Sequence, residues 1–161
     1  MNTCGKPVFE TLHTDSPRSF LTPQVGQTLE SLEISFGLRS RRFPERALKP
    51  LQKLLWLALD NNRLEEVSET ALYNQGELQY LNLESNRLAE LPPNLLHKNV
   101  HKRLLDVRLS YNRLGLVRSG TFSALARLQT VVMTGNRIAA VEDNAFRHLP
   151  NLVTLILTHN R

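Results

Sequence analysis

Residues 128–152 read Leu128-x-x-Val131-x-Met133-x-x-Asn136-x-Ile138-x-x-Val141, then Phe146, Leu149 and Leu152, and Leu152 opens the same pattern again. Val131 and Met133 stand two apart, so they share one face of a short strand while Thr130, Val132 and Thr134 take the other. Asn136 follows where the chain must turn, and its amide both donates and accepts hydrogen bonds. The segment is one turn of a coil, written so that the next turn can stack on it.

The rest of the chain repeats this unit. Residues 104–127 supply Leu104, Val107, Leu109, Asn112, Leu114, Val117, Phe122 and Leu125. Residues 78–103 supply Leu78, Leu81, Leu83, Asn86, Leu88 and Leu91. Pro92-Pro93 then forces an extended return, and this unit runs long, with the extra residues in 97–103. Residues 54–77 supply Leu54, Leu57, Leu59, Asn62, Leu64, Val67 and Ala71-Leu72. Residues 152–161 begin a further unit with Leu152, Leu155, Leu157 and Asn160. The starts at 54, 78, 104, 128 and 152 lie 24, 26, 24 and 24 residues apart. Consecutive units with Asn in register are a strong sign of a stacked array. The unfinished last unit is expected of a piece of a longer array.

Residues 29–53 form a degenerate first unit. Leu29, Leu32 and Ile34 keep the strand, Gly37 stands in the Asn place, and Arg39 takes the Leu place that follows it. The pattern recovers at Ala47-Leu48-x-x-Leu51-x-x-Leu54. The arginines 39, 41, 42 and 46 read as a solvated outer segment. Residues 1–28 match no unit and are expected to be an irregular leader that covers the first turn.

Stacked, these units predict parallel strands whose inward leucines form one continuous core. Asn62, Asn86, Asn112, Asn136 and Asn160 are expected to form a ladder that satisfies backbone groups buried at the turn. Each group left unpaired would cost about 1–3 kcal/mol. Phe122 and Phe146, with Leu48 and Leu72, are expected to fill the core from the convex side.

Composition sets the wider limits. Of 161 residues, 41% are hydrophobic and 22% charged, which describes a folding and soluble chain. No apolar run reaches the length of a membrane span. The net charge of +5 is not gathered into a basic face interleaved with aromatics, so nucleic acid is not expected as a partner. Cys4 is the single cysteine, which excludes an intrachain disulfide. Met1–Glu10 has Lys6 but no apolar run after it, and so does not read as a signal peptide.

The repeat residues resemble the leucine-rich repeat family across 29–161. Asn112–Leu128 and Asn136–Leu152 match the spacing of its "typical" 24-residue subfamily without a gap. The resemblance implies an α/β leucine-rich repeat solenoid, with a curved parallel sheet on the concave side and an irregular, 3-10 or short-helix convex side. The subfamily is found mainly in extracellular proteins: adhesion molecules, Toll-type receptors, Slit-type guidance proteins, small proteoglycans and long arrays of the chaoptin kind. It implies a non-catalytic protein-recognition module of a cell-surface or secreted protein, acting in adhesion or receptor signalling. The alternative is an intracellular scaffold or regulatory subunit, which the lone cysteine and the lack of an Asn-x-Ser/Thr sequon favour.

The concave face follows from strand alternation. Trp56, Asp60, Tyr80, Asn82, Glu84, Asp106 and Arg108 are the candidate partner-binding residues. Trp56 and Tyr80 would be neighbouring aromatic anchors, and Glu33, Asp60, Glu84 and Asp106 would favour a basic protein partner. The later strands offer small, β-branched, uncharged side chains. Arg63, Arg87, Arg113, Arg137 and Arg161 follow each ladder Asn and line one rim. His97 and His101 have a metal-capable spacing if helical, but Lys98, Lys102 and Arg103 would repel a cation. No nucleophile, base and orienting acid converge, no Gly-rich phosphate loop is present, and neither a cofactor nor a metal is expected.

Overall fold

The computed structural model describes residues 26–161. Cys4 and most of the expected leader lie outside the described residues.

Among the described residues ten short strands follow in chain order: β1 (Ser31–Glu33), β2 (Arg42–Phe43), β3 (Trp56–Ala58), β4 (Glu66–Val67), β5 (Tyr80–Asn82), β6 (Asp106–Arg108), β7 (Leu116–Val117), β8 (Thr130–Val132), β9 (Ala140–Val141) and β10 (Thr154–Ile156). One strand from each turn joins a six-stranded parallel sheet in the order β1-β3-β5-β6-β8-β10. Its register aligns Leu32, Leu57, Leu81, Val107, Val131 and Leu155 as a single row. The first five of that row are buried. They pack with the rows of Leu54, Leu78, Leu104 and Leu128 and of Leu59, Leu83, Leu109 and Met133 into one core. Burying one such side chain contributes roughly 1.5–3 kcal/mol, and in this architecture most of that arises between adjacent turns.

After each strand the backbone enters the left-handed region at one fixed place. Phe36, Asn61, Ser85, Tyr111, Gly135 and His159 have φ between 53° and 68°. This reversal lets the next residue point inward. At that inward place the ladder asparagines do the same work in every turn after the first. Asn112 accepts from the Leu88 N–H at 3.0 Å and donates to the Leu83 and Leu109 carbonyls at 2.9 and 3.1 Å. Asn62, Asn86, Asn136 and Asn160 repeat this set toward their own neighbours. Each amide therefore links its own turn to the preceding one, and all but Asn160 do so from buried positions.

The first turn corrects one expectation. Leu38, not Arg39, fills the slot after the turn: its N–H donates to Asn62 Oδ1 at 2.9 Å and its side chain is buried. Gly37 does stand at the asparagine place, but this turn lacks the arginine that follows Asn elsewhere. The slot therefore arrives one residue early. Arg39 is exposed.

The convex side is made of turns, edged by two small parallel sheets, β2-β4 and β7-β9. Proline explains the gap between them. The N–H groups of Ser68 and Glu142 donate to the Phe43 and Val117 carbonyls of the preceding turns. Pro92 occupies the equivalent place in the intervening turn and has no N–H to donate. Phe122 and Phe146 stack on this side, centroids 5.3 Å apart and planes within 1°; Phe122 is fully buried and Phe146 half-buried. The long turn takes up its two additional residues between Leu96 and His101.

Candidate functional site

The parallel register places Trp56, Tyr80 and Asp106 side by side on the concave face, and Ala58, Asn82 and Arg108 beside one another two residues on. Adjacent strands about 4.8 Å apart allow planar side chains in one row to meet face to face. The Trp56 and Tyr80 rings do so, with centroids 3.5 Å apart and planes 13° from parallel. The Arg108 guanidinium continues the row, 5.5 Å from the Tyr80 centroid. Asp106 anchors it, accepting from Arg108 Nε at 3.3 Å and Nη2 at 3.4 Å. The result is an ordered series of indole, phenol and guanidinium across β3, β5 and β6.

The electrostatics follow from this packing. Burial pushes the Tyr80 phenol up; Arg108 opposes that shift, while Asp106, Glu84 and Asp60 add to it. The hydrogen bonds that it donates to the Asp106 carboxylate hold the Arg108 guanidinium above its ordinary value. Tyr80 therefore stays neutral and Arg108 charged at physiological pH. Trp56 remains 40% exposed. Asp60 accepts from Asn61 Nδ2 at 2.6 Å, and Asn82 Oδ1 accepts from the Glu84 N–H at 2.9 Å, which fixes both side chains at the rim of the stack.

All seven candidate residues thus share one surface, but not one role. Trp56, Tyr80, Asp106 and Arg108 form a contiguous unit. Asp60, Asn82 and Glu84 flank it. Further along the sheet the surface is plain, with Thr134 and Thr158 hydroxyls 3.1 Å apart. Of the arginines on the rim, Arg87 lies 3.8 Å from Glu65, while Arg63, Arg113, Arg137 and Arg161 are exposed.

Two polar residues on the convex side carry a role that the repeat spelling does not reveal. Gln75 and His101 occupy the core slot filled by Leu51 and Leu125 in other turns, and both are buried. Gln75 Nε2 donates to the Leu48 carbonyl at 2.7 Å, and His101 Nε2 meets the Leu72 carbonyl at 3.0 Å. His101 Nδ1 accepts from the His97 N–H at 2.9 Å. His97 and His101 lie in a turn, with both His101 nitrogens engaged by backbone. The signal was present in the sequence as a polar letter at an apolar place, but its meaning depends on which carbonyl lies behind it.

Comparison with known proteins follows the same geometry. A family model described as leucine rich repeat matches residues 27–101 and 102–161. No curated sequence matches the chain. The solved structure of TLR13 in complex with the RNA ssRNA13 is 29% identical with a TM-score of 0.77, over 83% of this chain and 18% of that one. Toll of Drosophila, solved in complex with Spatzle, is 34% identical with a TM-score of 0.65, over 68% of this chain and 14% of that one. A leucine-rich repeat protein of Leptospira interrogans shares the fold at 23% identity and a TM-score of 0.71, over 87% of this chain and 34% of that one. The chain thus spans less than a fifth of either receptor chain. With its turns, its asparagine ladder and the matched family model in agreement, this chain belongs to the leucine-rich repeat family.

Proposed function

We propose that the chain is a non-catalytic recognition module that binds a protein partner through its concave face, as part of a cell-surface or secreted protein acting in adhesion or receptor signalling. The observation that carries this reading is the preorganised row of exposed Trp56 and half-buried Tyr80 and Arg108. Exposed aromatic groups of this kind supply large contact area, and their packing means that little is ordered on binding. Toll, solved with Spatzle, supports a protein partner and an extracellular setting by likeness. TLR13, solved with an RNA, keeps a nucleic acid in view. Here Glu33, Asp60, Glu84 and Asp106 surround the stack, and four carboxylates against the one guanidinium of Arg108 disfavour a phosphate backbone.

The second reading is an intracellular scaffold, favoured by the single cysteine and the absence of a glycosylation sequon. Location of the full-length protein by surface biotinylation separates the two.

The binding face is tested with a photo-crosslinking residue at Asn82 on the concave side or at Lys98 on the convex side, in cells that express the full-length protein. An adduct of one defined mass from Asn82, absent from Lys98 and lost in Trp56→Ala/Tyr80→Ala, is expected. Adduct from Lys98 alone, or an Asn82 adduct that survives the double substitution, would remove the patch.

A further inference from the structure

We propose that the open face of Trp56 takes an arginine side chain of the protein partner, seated over Ser31 and paired with Glu33. The proposal rests on the concave face being the binding face, and it names the chemistry that this face receives.

The row of planar groups has an empty place at one end. Trp56 lies against Tyr80 with one face, and Tyr80 against Arg108, so each of β3, β5 and β6 contributes one planar group. The next strand on the far side of Trp56 is β1. There the register puts Ser31 opposite Trp56. A serine reaches no higher than the base of the indole. Among the described residues, no ring or guanidinium stands against that face, and Trp56 keeps 40% of its surface open. One strand spacing of about 4.8 Å admits one further planar group.

The chain itself shows which group suits such a place. At the opposite end of the row, Arg108 lies over Tyr80 and is held by Asp106, two residues away on the same strand. At the empty end, Ser31 and Glu33 are likewise two residues apart on one strand. Glu33 is exposed and opposite Ala58, whose small side chain leaves it room. Asp60 adds a second carboxylate just beyond β3. An incoming guanidinium would lie over the indole as Arg108 lies over the phenol, and meet Glu33 as Arg108 meets Asp106.

Other occupants fit less well. A lysine ammonium is a point charge that gains from the carboxylates but cannot lie flat on the ring. A nucleobase would stack, yet its phosphates would face Glu33 and Asp60. A partner aromatic ring would desolvate Glu33 without pairing it.

Trp56 is the single tryptophan of the chain, so its emission reports on this place alone. The 161-residue protein is titrated with a dodecapeptide of alternating Arg and Gly, with Lys/Gly and Glu/Gly counterparts, and with a single-stranded uridine 12-mer. A saturable change in emission with the Arg peptide is expected, roughly ten-fold tighter than with the Lys peptide. The Glu/Gly peptide is expected to produce none. Glu33→Gln is expected to weaken it several-fold, and Ser31→Phe, which fills the place from within, to abolish it. Circular dichroism and an unchanged melting temperature verify that both variants fold. Lysine binding as tightly as arginine, preferred binding of the uridine 12-mer, or an Arg response that survives Ser31→Phe would each overturn the assignment. If the Asn82 adduct forms and depends on Trp56 while the Arg peptide gives no response, the arginine alone is wrong. If both fail, the concave face is not the binding face.

Discussion

The imidazole of His101 bridges to the carbonyl of Leu72, 29 residues earlier and 3.0 Å away, and so ties one turn of the coil to the turn before it. With Nδ1 accepting from the His97 N–H, the ring can only be neutral with its proton on Nε2. Burial pushes its pKa down from the ordinary 6.5, outweighing the hydrogen bond to the Leu72 carbonyl, which raises it. A folded-state value below the unfolded one means that the unfolded chain binds the extra proton first. Stability is then full above pH 6.5 and is lost as pH falls from there toward the depressed folded value. Urea midpoints measured between pH 8 and 4.5 are expected to show this loss. His101→Gln, which copies Gln75, should keep the bond and flatten that part of the profile. An equal slope in the variant would assign the loss to other groups.

Asn112 serves four backbone groups at once, and it is buried. Asn112→Ala is expected to destabilise the array by about 2–4 kcal/mol, read from urea denaturation with an unchanged m-value. Asn160 makes the same bonds but is half-buried, so Asn160→Ala is expected to lose only about 1 kcal/mol. Equal losses at the two sites would show that burial does not set the strength of the ladder.

Phe36 holds a left-handed conformation, φ 59°, with a ring that is 72% exposed. Its backbone is strained and its side chain contributes little. Phe36→Gly is expected to raise stability by about 0.5–1 kcal/mol, the relief of strain exceeding the added freedom of the unfolded chain. Gly135 has the same place and φ 68°, but a Cβ there would meet the Tyr111 ring at 2.8 Å. Gly135→Ala should therefore lower the thermal midpoint, and Tyr111→Ala in the same chain should recover part of the loss. Full recovery would mean that the backbone conformation carries no strain.

Phe122 and Phe146 are stacked partners with different surroundings. Phe122→Ala opens a fully enclosed space and is expected to destabilise by about 3–5 kcal/mol, against roughly half of that for Phe146→Ala. Calorimetry of the two variants measures the difference.

The sequence by itself determined the coil. Apolar residues at alternate places can only share one face, and an asparagine every 24 to 26 residues can only serve a recurrent turn. It also put Trp56 and Tyr80 on neighbouring strands, because a regular repeat makes register a matter of counting. Counting failed where a repeat changed length. Gly37 and Leu38 lie next to each other, so the slot assigned to Arg39 belonged to its neighbour, and only the hydrogen bond to Asn62 reveals this. Tertiary structure alone decided what depends on a third residue's position. A polar letter at 75 or 101 became a tie between turns because a carbonyl waits behind it. Arg108 became the end of an aromatic row because Asp106 holds it there. Spacing specifies which residues share a face; orientation of a side chain within that face is set by the neighbours it can reach.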